Sequence, residues 1–306
     1  MLTHDIYEIL IQAAEAAAIA ASKWIGKQNN IAADQAAVTA MRTSFLQHNF
    51  PGKVVIGEGE RDQAPMLYIG EQFSSGHLLY DIAVDPLEGT NLCAKNLEGS
   101  MSVLAVGPAG SLLHAPDLYM KKIATSNKID PKLIDLNLSL SEIINNIAEA
   151  KGIATNKLRV TILNRARHQA IIEEAKSLNV RLELIEDGDI LAAINCSSYY
   201  DKSDLYYGTG GAPEGVLAAA ALKTIGGQFQ GQLIVPDHLD LPQRGKIYHI
   251  NDLVMSDVIF IAAGVTKSTL LQACIVEKHH ATCNFLLCHY GRKLFRNSVS
   301  NQVLIG

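Results

Sequence analysis

Cysteine is scarce in this 306-residue chain, and the five it has are scattered: Cys93, Cys196, Cys274, Cys283 and Cys288. An odd number without CxxC spacing argues against a zinc site or a disulfide framework. A soluble, reduced, cytoplasmic protein is the expectation. No apolar run approaches the ~18 residues of a membrane span. The first ten residues, MLTHDIYEIL, have neither a basic n-region nor an apolar h-region, so no secretory signal is expected. Charge of one sign is not in large excess. The net charge of −5 argues against nucleic acid or an anionic membrane as the main partner. No P-loop, GxGxxG fingerprint or Ser–His–Asp order is evident.

Aromatic residues are also few, at 6% of the chain, against 23 glycines and a 48% share of hydrophobic residues. That balance points to an α/β protein with many tight turns. The length allows one large or two medium domains.

The chain is organised around Asp81 to Thr90, DIAVDPLEGT. Tyr80, Ile82 and Val84 share one face at period 2, and Asp81, Ala83 and Asp85 the other, which predicts a strand. Pro86 is expected to end it, because proline cannot extend the ladder. Gly89 then permits a tight turn. Asp85, Glu88 and Thr90 so crowd one strand end. Carboxylates this close repel unless a cation lies between them, and oxygen-only ligands suit Mg²⁺ or Mn²⁺ better than Zn²⁺. The plain alternative is an acidic β-turn. Asp81 lies roughly 13 Å from Asp85 along a strand and reads as structural, or as a residue that supports the ligands without touching the cation.

Other acids repeat the theme. Residues 5–22 predict a first, alanine-rich helix, and Val38, Met41 and Phe45 mark a second, with Asp34 at the place of a capping carboxylate. Lys53 to Ile56 reads as a strand running into Gly57-Glu58-Gly59-Glu60-Arg61-Asp62, and residues 64–71 as a helix or turn. Met101 to Val106 is a further strand, with Gly107, Pro108 and Gly110 marking a hairpin turn. Ala115 to Lys122 is polar and basic, and Ser139 or Ser141 caps a helix over 139–150. A boundary at 152/153 separates two expected domains, 1–152 and 153–306. Beyond it strands and helices alternate, the βαβ signature of a parallel sheet. Arg165, Arg167 and His168 occupy a strand-to-helix turn suited to an anion, or simply a solvated basic turn. Leu205 to Tyr207 runs into GTGGAPEG, whose glycines let a phosphate or sugar approach the backbone and whose Glu214 is another acid at a strand end. Residues 236–251 read as a loop, 257–264 and 281–289 as late strands, and Arg292, Lys293 and Arg296 as a basic tail. Distributed carboxylates, a hydroxyl and separate Arg/His groups suit metal-assisted phosphoryl transfer.

The runs GEGERDQAPMLYIGE (57–71), DIAVDPLEGT (81–90), APDLYMKK (115–122), DGD (187–189) and GTGGAPEG (208–215) resemble class II fructose-1,6-bisphosphatase, in order and over roughly residues 15 to 270. That family belongs to the lithium-sensitive, metal-dependent sugar phosphatases. The resemblance implies a layered α/β/α/β/α sandwich of two domains that hydrolyses the 1-phosphate of fructose 1,6-bisphosphate in gluconeogenesis, with Mn²⁺ or Mg²⁺. It makes Asp34, Glu58, Asp85, Glu88 and Glu214 metal ligands, with Asp34, Glu58 and Thr90 catalytic. Thr90 would activate or orient the nucleophile, or be the nucleophile. Glu88, Gly89 and Thr90 would meet the reacting phosphate. Tyr119, Arg165, Ala166, Arg167, Asp187, Gly188, Asp189 and Gly211 would hold the sugar and the second phosphate. A homo-oligomer, dimer or tetramer, is expected. The chain departs from the family at Gln28-Asn29-Asn30-Ile31, where Asn30 replaces a lysine, and at Arg165-Ala166-Arg167-His168, where Lys-Pro-Arg-His is usual. Alternative readings are a sedoheptulose-1,7-bisphosphatase, an inositol-phosphate phosphatase, or a sugar-phosphate-binding regulator with weakened catalysis.

Overall fold

The computed structural model describes residues 3–59, 65–239, 241–278 and 280–300. The acidic and basic positions Glu60, Arg61 and Asp62 lie outside the described residues. Helix α1 (Thr3–Ser22) buries an alanine-rich face, including Leu10, Ala13, Ala14, Ala17 and Ala21, whose small side chains let it approach its neighbours closely. Helix α2 (Asn30–Gln47) is capped by Asn29, whose side chain accepts from the N–H of Ala32 at 3.0 Å. Asp34 therefore lies inside the helix and caps nothing, against the sequence expectation. Strand β1 (Gly52–Ile56) pairs in parallel with β2 (Tyr80–Glu88). Residues 65–71 fold back on β1 as a turn, with no helix there: Val54 N–H donates to Glu71 O, and Glu58 N–H to Leu67 O.

Pro86 does not end β2. The register with β3 (Met101–Pro108) shifts between Asp85 and Glu88, so a bulge takes up the proline and the strand runs on to Glu88. Gly89 comes next at φ 74°, ψ 47°, a left-handed conformation that favours glycine, and short α3 (Thr90–Lys95) starts directly after it. Gly107 and Pro108 finish β3, and the chain then passes into a second compact unit without forming a hairpin there.

That unit, Ala115–Val254, begins with β4 (Tyr119–Ser126), so the polar and basic segment is partly a strand. Helix α4 (Leu140–Lys151) carries the expected Ser139 cap as a capping box with Glu142 and ends at Gly152. After it come β5 (Arg159–Leu163), a 3₁₀ turn at Ala166–His168, α5 (Gln169–Ser177), β6 (Arg181–Ile185) and α6 (Asp189–Asn195). Strand β7 (Leu205–Gly211) continues through the glycines, α7 (Ala212–Ile225) starts at the Ala-Pro, and β8 (Gly227–Leu233) succeeds it. The expected loop at 236–251 contains β9 (Ile247–His249) and the start of α8 (Ile250–Leu253). The sheet order is β6-β5-β7-β4-β8-β9. β5 pairs in parallel with β6 and β7, as the βαβ pattern predicts, while β4, β8 and β9 add antiparallel partners. Ile143, Ile144 and Ile147 of α4 join Val160, Ile162 and Tyr207 in this unit's core.

The chain then returns to the first unit, Met1–His114 with Met255–Gly306. It adds β10 (Ile259–Gly264), β11 (Ile275–Val276), β12 (Ala281–His289) and β13 (Arg292–Ser300), so the basic tail is a strand. The sheet order is β1-β2-β3-β10-β12-β11, with β13 also paired to β12. The divide thus falls at 114/115 and 254/255, not at 152/153. β4 belongs to the same sheet as β5 and β7, which keeps residues 115–152 in the second unit, and β10 pairs with β3, which returns the C-terminal strands to the first. Among the described residues the protein is a mixed α/β fold of two sheets and eight α-helices.

Candidate active site

The first unit gathers most of the acids at the ends of two neighbouring strands. β1 and β2 run parallel, and Ile56 pairs with Ala83. Glu58 and Asp85 each lie two residues beyond that pair, at the same end of the sheet. The Oδ1 of Asp85 accepts the N–H of Leu87 at 3.1 Å, which helps to hold the bulge. Glu88 is buried, and its backbone carbonyl accepts from Ser100 Oγ at 3.0 Å. Asp34, on the second turn of α2, shares a cleft of about 260 Å³ with Thr90, Asn30 and Ile31. Burial pushes its carboxyl up to about 6. Asn30, which stands for the family's lysine, reaches Asn91 of α3 at 3.4 Å. Asp81 is structural, as expected: it is buried, and its Oδ2 accepts from the N–H of Leu112 at 3.2 Å.

The second unit gathers the other expected site residues where β5, β6 and β7 end and β4 begins. Tyr119 pairs with Gly211 across β4 and β7. The Arg167 guanidinium lies over the Tyr119 ring, 4.8 Å from its centroid, and donates from Nε and Nη2 to Thr209 O at 3.1 and 2.7 Å. Arg165 Nη2 is 3.9 Å from Asp187 Oδ1. Ala166 opens the 3₁₀ turn between the two arginines, and Gly188, at φ 88°, links Asp187 to Asp189.

Lys122 has a place here that the sequence reading missed. It is buried, and its Nζ is 2.5 Å from Asp189 Oδ2, which also accepts from Tyr206 OH at 3.3 Å. A signal existed: at period 2, Lys122 shares the inward face of β4 with Met120 and Ala124, both buried. The backbone of Gly210 passes so close that a Cβ there would come within 2.4 Å of Asp189 Oδ2. His168, read from sequence as part of an anion-binding turn, is buried and joins two strand ends instead. Its Nδ1 lies 2.7 Å from Leu163 O, and Nε2 accepts from the N–H of Thr209 at 2.9 Å. That assigns a neutral ring with the proton on Nδ1. Burial, aided by Arg167 and Arg165, holds its pKa below the usual 6.5.

Glu214 sits in the first turn of α7, and its enclosed Oε2 has no hydrogen-bond partner. Burial raises its pKa; Lys122 opposes the shift and Asp189 adds to it. Among the described residues, no group of three or more His, Cys, Asp or Glu side chains is arranged to hold a metal ion. The acids of each unit, taken separately, have the chemistry a hard divalent cation takes: carboxylate oxygens only, with Asp34 desolvated in the first unit and Glu214 carrying a buried oxygen without a hydrogen-bond partner in the second.

The mixed α/β fold of two sheets is consistent with an α/β sugar phosphatase. Comparison with known proteins gives the family: the profile described as "Bacterial fructose-1,6-bisphosphatase, glpX-encoded" matches residues 4–302, and the chain belongs to that family. A relative from Prochlorococcus marinus (strain MIT 9313), named D-fructose 1,6-bisphosphatase class 2/sedoheptulose 1,7-bisphosphatase, is 44% identical over 265 residues, covering 84% of this chain and 79% of the relative. One with the same name from Parasynechococcus marenigrum (strain WH8102) is 41% identical over 300 residues, 90% of each chain. Fructose-1,6-bisphosphatase 1 class 2 of Escherichia coli (strain K12) is 41% identical over 295 residues, 89% of this chain and 88% of the relative. Membership of this family implies a divalent-metal-dependent phosphatase. No described helix is long and apolar enough to cross a membrane.

Proposed function

We propose that this chain hydrolyses the 1-phosphate of fructose 1,6-bisphosphate to give fructose 6-phosphate and phosphate, with Mn²⁺ or Mg²⁺ as the cation. The observation that carries the reading is the bulge in β2, which ends a strand in Asp85 and Glu88 and delivers Thr90 behind a left-handed Gly89. The printed names of the relatives support the substrate. Asp34, Glu58, Asp85 and Glu88 of the first unit would be metal ligands, as would Glu214 of the second; a divalent cation, when bound, supplies charge to the reacting phosphate and lowers the pKa of a water. Glu88, Gly89 and Thr90 line the reacting phosphate. The Thr90 hydroxyl orients the attacking group or attacks itself. Asp34, which shares a cleft with Thr90, and Glu58 take up the proton released on attack. Tyr119, Arg165, Ala166 and Arg167 hold the second phosphate, and Asp187, Gly188, Asp189 and Gly211 the sugar hydroxyls.

The reading includes a place in gluconeogenesis, a cytoplasmic location and a homo-oligomer, dimer or tetramer. Sedoheptulose 1,7-bisphosphate is a second substrate to weigh, because several relatives carry both activities in their names. Kinetics on fructose 1,6-bisphosphate, sedoheptulose 1,7-bisphosphate and an inositol monophosphate test the assignment. Turnover of the first, with fructose 6-phosphate as product, supports it. Binding of all three without turnover would point to the regulator instead, and turnover confined to the inositol phosphate would overturn the substrate.

A further inference from the structure

Cys274 and Cys283 have no motif spacing, yet they meet inside the first unit with their Sγ atoms 2.8 Å apart. Cys274 immediately precedes β11, and Cys283 lies on β12. These strands pair antiparallel, with Ile275 opposite Thr282 and Val276 opposite Ala281. One more step in that register sets Cys274 opposite Cys283. Opposed residues of an antiparallel pair have Cα atoms about 4.5–5.5 Å apart, within the range of about 4.4–6.8 Å that a disulfide spans. Side-chain rotation is enough to join them.

Cys93 and Cys196 are placed differently. Their thiols approach backbone carbonyls, Ala21 O at 3.6 Å and Ala192 O at 3.4 Å, and burial pushes them up to about 11 and about 12. Cys274 is instead drawn below the usual thiol range, chiefly by a hydrogen bond from Cys283, which is itself pushed well above it. Cys274 is therefore the partner that becomes a thiolate first. Both thiols are buried, but β11 is only two residues long and ends the sheet's path, with Ile275 58% exposed. A short edge strand of this kind opens locally well below the cost of global unfolding.

We propose that Cys274 and Cys283 form a reversible oxidation site that closes to a disulfide when the protein meets a hydroperoxide. The Cys274 thiolate attacks one oxygen of hydrogen peroxide; the O–O bond breaks, a sulfenic acid forms, and the departing hydroxide takes a proton to become water. Cys283 then attacks the Cys274 sulfur. The S–S bond forms, the S–O bond breaks, and the hydroxyl leaves with the Cys283 proton as a second water. The two thiols lose two electrons and the peroxide gains them. A dithiol reverses the step by thiol–disulfide exchange.

The full-length native protein, treated with hydrogen peroxide, alkylated and digested without reductant, tests this by peptide mass. The expected result is one pair of peptides joined through Cys274 and Cys283, lighter by two hydrogen atoms. Free thiols fall by two from the chain's five, and dithiothreitol restores them. In Cys283→Ser, shown to be folded by circular dichroism, Cys274 should be trapped by dimedone as a sulfenic acid. If that variant does not fold, the wild-type peptide map decides alone. Five alkylated thiols after peroxide, a link through Cys93, Cys196 or Cys288, over-oxidised Cys274 without a link, or a folded Cys283→Ser without an adduct would each overturn the proposal.

Discussion

Lys122 shows how much one buried charge governs in this protein. It faces Asp189 at 2.5 Å and lowers the pKa of the enclosed Glu214 against the effect of burial. Removing one partner of a buried pair leaves an uncompensated charge, which costs about 3–5 kcal/mol. Lys122→Met should therefore lower the urea midpoint strongly, and a midpoint within error of wild type would show that the pair contributes nothing. His168 makes a pH-dependent contribution of known sign. Its folded pKa is depressed, so the unfolded chain binds the extra proton first. The stability it supplies is complete above the usual 6.5 and is lost as pH falls toward the folded value. Urea midpoints measured from pH 7.5 to 5 should fall less steeply in His168→Gln than in wild type; equal slopes would remove His168 as the cause. At Thr90 the hydroxyl is the question. Thr90→Val should lose most activity and Thr90→Ser retain part of it, and equal rates in all three proteins would show the hydroxyl idle.

Among the elements, β2 and β7 show where sequence reading succeeds and where it stops. The alternation of Ile82 and Val84 made β2 legible, but the rule that proline ends a strand missed the bulge that holds Pro86. β7 was legible at Leu205 to Tyr207 and obscure at Gly208 to Gly211, because glycines carry no side chain to show a face. The paired lysines hid β4, and arginine and lysine hid β13: charged residues on strands read as loops until their partners are known. Asp34 looked like a cap because Asn29, five residues earlier, made no such impression. Close approach, by contrast, leaves no mark in composition. Gly210→Ala would bring a Cβ to 2.4 Å from Asp189 Oδ2 and 3.0 Å from Lys122 Nζ, so the pair must shift. The expected kinetic result is a raised KM for the sugar bisphosphate with a smaller change in kcat; an unchanged KM would detach Asp189 from substrate binding.

At the scale of the whole molecule, the motif order carried the family, and the family profile spans residues 4–302. The division of the chain was not legible. A strand pairs with partners distant in sequence, so the return of β10 to β3 leaves no local sign, and a boundary sought in composition fell at 152/153 when the units divide at 114/115 and 254/255. That division also assigns the acids: Asp34, Glu58, Asp85 and Glu88 belong to one unit, and Glu214, with the Arg165–Arg167 turn, to the other. The central claim is that these acids serve a cation. Phosphate release from fructose 1,6-bisphosphate, measured for wild type and Asp85→Ala with Mn²⁺, with Mg²⁺ and with EDTA, tests it most directly. The account predicts release that requires a metal, is abolished by EDTA and is lost in Asp85→Ala, whose thermal unfolding stays close to wild type because relief of the repulsion between neighbouring acids offsets the lost hydrogen bond to Leu87. Release that survives EDTA, or an Asp85→Ala protein as active as wild type, would contradict it.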